Sequence, residues 1–171
     1  MARRIIPVVL LCAAIVGVFC FVKSTNPPSE SSVIKSFNLH RTEYEQLRVM
    51  LQEDDTLVTV ADWGVETTDS PLVVEVPPAG KFPVGRFRKY LSLLAAVDAQ
   101  AAARMTGRHP EARVLVWSSG FAGDTRHVAV GWIDQPPVNE VTSLDTFYKS
   151  PKPRNPVYRH IDGHWYIWAG W

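Results

Sequence analysis

Cysteine is nearly absent from this 171-residue chain: Cys12 and Cys20 both fall in the first apolar stretch, and the rest of the chain has none. A disulfide framework or a cysteine zinc site is therefore excluded for everything beyond that stretch. Excess charge of either sign is lacking too, with 18 Lys and Arg against 17 Asp and Glu. Arg3, Arg4 and Lys23 flank the apolar stretch, so the chain beyond residue 24 has 15 basic against 17 acidic residues. A nucleic-acid partner, which needs a basic face, is not expected. No Gly-x-Ser-x-Gly turn is present, Ser118-Ser119-Gly120 reads as a loop, and Gly120-x-x-Gly123 is too short for a phosphate loop. Asp54-Asp55 and Asp62 are explained by a helix end and a turn. No cofactor is expected.

What is present first is Ile5 to Val22, 18 positions without a charge, after Arg3 and Arg4. As a helix at ~1.5 Å per residue it spans about 27 Å, close to the ~30 Å hydrocarbon core of a bilayer. No small-x-small site precedes the polar residues, and neither cysteine comes after the small residues of a lipoprotein signal. Residues 1–24 are therefore expected to be an uncleaved single-pass anchor, with a cleaved signal as the alternative. The basic residues before the span place the body of the chain outside the cytoplasm. Residues 25–32, rich in Pro and Ser, read as a flexible linker, and 33–171 as one extracytoplasmic domain.

Within that domain Val33, Phe37, Tyr44, Leu47 and Leu51 keep helical spacing, which predicts one helix ending near Asp54. Thr56 to Val60 and Leu72 to Val76 read as strands. A second helix is expected to start at Pro83 and to run through Phe87, Tyr90, Leu94 and Ala101 to Met105, with Gly107 as its stop. Arg113 to Trp117 and Arg126 to Ile133 predict an antiparallel pair, with Val128, Val130 and Trp132 on one face. The fold class is α+β: an antiparallel sheet of four to six strands with two packed helices, preceded by one transmembrane helix.

The sharpest local signal is Val157 to Ile161, then Asp162-Gly163, then His164 to Trp168, which predicts a two-residue hairpin. Counting outward from the turn pairs His160 with Trp165, Tyr158 with Ile167, Ile161 with His164 and Arg159 with Tyr166. His160-x-Asp162-x-His164 suggests a metal cluster, but this register puts the two histidines on opposite faces, so no metal site is expected. Trp117, Trp132, Trp165, Tyr166, Trp168 and Trp171 crowd the β half, where alternation turns about half of them inward. Trp165, Trp168, Trp171 and His160 are the candidate ligand-binding or interface residues, and no catalytic residue is assigned.

The runs Ser36 to Arg41 and Leu47 to Asp54, Phe82-Pro83 before Arg86 and Tyr90-Leu91, and Tyr158 to Tyr166 resemble a family of small bacterial proteins of unknown function with an amino-terminal signal or anchor. The resemblance covers most of residues 33–168 and implies no activity. The Gly-x-Trp-Tyr hairpin is also similar to the last strands of cystatin-like and nuclear-transport-factor-like folds. The expectation is a membrane-anchored, noncatalytic binding or accessory module of the bacterial cell envelope, holding a small ligand or an envelope protein partner. Two alternatives stand beside it. One is an envelope hydrolase that assembles His127, His160 or Asp62 in a pocket; the other is a domain that docks on a membrane protein through Trp168 and Trp171.

Overall fold

The computed structural model describes residues 26–77, 80–105, 112–120, 125–149 and 156–170. The expected membrane span at residues 5–22 lies outside them, as does Trp171. No helix among the described residues is long and apolar enough to cross a membrane.

The first helical pattern forms two helices, α1 (Glu30–Leu39) and α2 (Arg41–Glu53). Ser29 caps the first, its Oγ accepting from the Ser32 N–H. The break falls at His40, whose φ of −117° and ψ of 30° are not helical. Neither Gly nor Pro marks it, so apolar spacing reads straight through. The chain then forms β1 (Leu57–Ala61), β2 (Gly64–Thr67) and β3 (Ser70–Glu75) as a meander. The second expected helix, α3 (Val84–Ala96), is shorter than its spacing predicted. It stops because Asp98 takes a left-handed φ of 53°, while Ala99 N–H bonds Leu94 O and Asp98 N–H bonds Ala95 O. Those two bonds form a helix-terminating motif that needs no glycine when Asp tolerates positive φ. Ala101 to Arg104 is therefore strand β4, not the last turn of a helix.

β5 (Ala112–Ser119), β6 (Arg126–Trp132), the one-turn helix α4 (Leu144–Phe147), β7 (Val157–Asp162) and β8 (Trp165–Gly170) complete the chain. The eight strands among the described residues join one antiparallel sheet in the order β3-β2-β1-β4-β5-β6-β8-β7, more than the four to six expected. β2 and β4 are the additions: each has four residues, too few for alternation to stand out.

The three longer helices pack on one face of this sheet, α3 toward β1 and α2 across β4 and β5. Phe37 of α1, Tyr44 of α2 and Trp165 of β8 meet with ring centroids 5.3 to 6.2 Å apart. Burying such side chains stabilises by about 2–3 kcal/mol apiece. Burial pushes the Tyr44 hydroxyl up to about 12, with Ser36 pulling the other way. Val60, Val114, Val128, Val130 and Ile167 supply the sheet side of the core.

Polar clasps fix the helix layer. Asp54 Oδ2 accepts from Arg86 Nε at 2.8 Å and from the Tyr90 hydroxyl at 2.7 Å, tying α3 to the end of α2. Burial and then the Asp54 carboxylate raise the Tyr90 pKa well above a phenol's usual value. Glu30 makes a second clasp: Oε1 accepts from Arg159 Nε at 2.8 Å and Oε2 from the Leu144 N–H at 2.8 Å, while its own N–H bonds Asp145. Hydrogen bonds to a charged group contribute about 1.5–3 kcal/mol, so Glu30→Ala is expected to lower unfolding free energy by about 2 kcal/mol. Adding Arg159→Ala should then cost little more in urea denaturation, whereas additive losses would show that the two side chains act separately.

Candidate functional site

The hairpin forms, but its register differs from the one counted outward from Asp162-Gly163. The loop is Gly163-His164, and Asp162 pairs with Trp165. Gly163 has a φ of 55° and Asp162 does not have positive φ, the pattern of a turn with Gly in its first central position. Ile161 is an extra residue in β7, a bulge, so His160 pairs with Tyr166, Arg159 with Ile167 and Tyr158 with Trp168. The single-residue shift exchanges faces. Tyr158 and His160 leave the helix side and join Tyr166 and Trp168 on the side that no described helix covers.

This helix-free face is small at its centre and large at one end. Cross-strand pairing lines up Ala61, Ala101, Leu115, Ala129, Trp168 and Tyr158 across six strands. The adjacent row includes Ala103, Arg113, Gly131, Tyr166 and His160. The Trp168 ring is held from several sides. The Arg113 guanidinium carbon lies 4.7 Å from its centroid, and the His127 imidazole stacks at 6.1 Å and 26°. The indole N–H reaches the Tyr158 hydroxyl oxygen. Gly170, opposite His127, lets the indole lie close: a Cβ there would sit 3.0 Å from the ring, which would have to give by a few tenths of an ångström.

Electrostatics reflect this packing. Burial pulls the Arg113 guanidinium below its usual pKa, with Tyr158 opposing. Burial and then Arg113 lower the His127 pKa, so the imidazole is neutral at pH 7. Burial raises Tyr158, against the Trp168 hydrogen bond and Arg113. Among the described residues the face thus sets one cation, Arg113, beside the Trp168 ring and the His127 imidazole.

The four candidate residues do not form one group. Trp165 is buried against Phe37 and Tyr44 and is out of reach of any ligand. Trp168 and His160 share the helix-free face, His160 edge-on to Tyr166 at 5.1 Å and donating from Nε2 to the Gly163 carbonyl. His164 lies instead against Trp132 at 5.3 Å, its Nδ1 donating to the Ile133 carbonyl. No group of metal-ligating side chains occurs among the described residues. His127, His160 and Asp62 do not converge either. The β8 partners of His127 and His160 are Gly170 and Tyr166, about 13 Å apart along the strand at ~3.3 Å per residue. Asp62 lies in the β1–β2 turn, in a groove with Trp63, Leu91 and Leu94.

No protein-family model, curated protein or solved structure matches the chain. The likeness to small bacterial proteins therefore rests on its sequence runs alone.

Arg113 is the residue that sequence reading passed over, taken as the start of a strand. Its signal was a cation alternating with Ala112, Val114 and Val116 inside an apolar run. His127 gives this site a pH signature. Its folded pKa is below the usual 6.5, so as pH falls through 6.5 the unfolded chain takes up the proton first and stability drops. Melting temperature measured from pH 8 to pH 5 is expected to fall less steeply for His127→Asn, and identical slopes would show that His127 does not set the pH dependence.

Proposed function

We propose that the chain is a noncatalytic binding module of the bacterial cell envelope that holds a small ligand on the helix-free face of its sheet. The observation that carries the reading is Trp168, kept within reach of that face by Arg113, His127 and Tyr158 while Trp165 and Trp117 are committed to the core. An aromatic ring lined up beside donors is a recurrent platform for a flat ligand. Trp168 is half-buried and pinned on several sides, which favours a ligand over a protein that docks on a loose apolar end.

In this proposal residues 5–22 anchor the chain in the membrane and the α+β domain stands outside the cytoplasm. The uncharged Ile5 to Val22 run, the basic residues before it and the lack of later cysteines support that placement. Protease added to intact spheroplasts is expected to digest the domain, and full protection would reverse the orientation.

A thermal-shift screen of small molecules against the full chain tests the binding role. Compounds that raise the melting temperature should lose their effect in Trp168→Ala and keep it in Trp63→Ala, since Trp63 is exposed at the distant β1–β2 turn. Hits that ignore Trp168 would move the site elsewhere.

A further inference from the structure

Resting on that reading and narrowing it, we infer that the ligand of the helix-free face is an organic anion, a carboxylate or phosphate on a flat apolar body, and that Arg113 selects it. Arg41, Arg48, Arg86 and Arg159 each meet a carboxylate. Among the described residues no carboxylate pairs with Arg113, although it is partly buried. A sheltered cation without a counter-charge is costly, and the Trp168 ring offsets only part of that cost. The remaining hydrogen-bonding capacity of the guanidinium is a planar fork that fits carboxylate and phosphate oxygens alike.

The surroundings suit an anion beside Arg113. Its cross-strand neighbours are Ala103 on β4 and Gly131 on β6, so no large side chain flanks it on either strand. Tyr158, opposite Trp168 on β7, packs beside the indole at the edge of this face. His127, neutral at pH 7, adds no second charge but offers a ring nitrogen. Glu66, which the register puts on this same face, is three strands away from Arg113. The Trp168 plane then receives the apolar body of the ligand.

Calorimetric titration of the full chain in non-ionic detergent tests this with four probes of one ring: benzoate, phenyl phosphate, benzyl alcohol and benzylamine. At least one anion should bind saturably below about 10 mM and lose about tenfold or more in affinity in Arg113→Gln. Arg113→Lys, which keeps the charge without the fork, should fall between the two and also serves if the Gln variant does not fold. The preferred anion tells a carboxylate ligand from a phosphate one. Equal affinity in wild type and the Arg113 variants, or benzylamine binding as well as benzoate, overturns the inference. If a neutral or cationic probe binds and Trp168→Ala abolishes it, the face remains a ligand site and only the anion falls. If neither anion binds in this range, the inference is also overturned; should the thermal-shift hits ignore Trp168 as well, the binding role falls with it.

Discussion

Phe37, Tyr44 and Trp165 meet at the junction where α1 breaks into α2, and the layered structure depends on that contact. The three rings join both helices to β8, a strand from the last fifth of the chain. Because Trp165 faces the helices, alternation obliges Tyr166 and Trp168 to face away. The core and the candidate site are thus two sides of one strand, and the depth at which Trp165 is seated sets the position of Trp168.

Charge is distributed differently on the two sides. Around the helix layer cations are matched: Arg86 by Asp54 and Glu53, Arg159 by Glu30. These pairs hold α3 on α2 and the start of α1 on β7; Arg86 with Asp54 and Arg159 with Glu30 are partly buried, while Glu53 is exposed. On the helix-free face the matching among the described residues stops at Arg113, where an aromatic ring takes the place of a carboxylate. Among the described residues the fold thus neutralises cations in the helix layer and sets one against a tryptophan on the other face.

Much of the architecture was legible in the sequence. β-branched alternation located β1, β3, β5 and β6, and the spacing of Phe87, Tyr90 and Leu94 located α3. What escaped was set by single residues acting against local propensity. His40 interrupts a helix without Gly or Pro. Asp98 adopts positive φ in an alanine-rich stretch that favours continued helix, and tertiary pairing then draws Ala101 to Arg104 into the sheet. The site was half legible: Trp168 and His160 stood out by type, but their company depended on a bulge that no turn rule announces. Arg113 escaped because one cation in a strand carries no motif.

The Ile161 bulge works like a reading frame for the edge strand. β7 tolerates many changes of residue type, but its meaning depends on the count between the loop and Pro156. Regular pairing outward from Asp162 and Trp165, with no residue lost, would set His160 opposite Ile167 and Tyr158 opposite Ala169, returning both to the helix layer and presenting Val157 and Arg159 in their place. At its present length β7 therefore needs the bulge to keep Tyr158 and His160 beside Trp168.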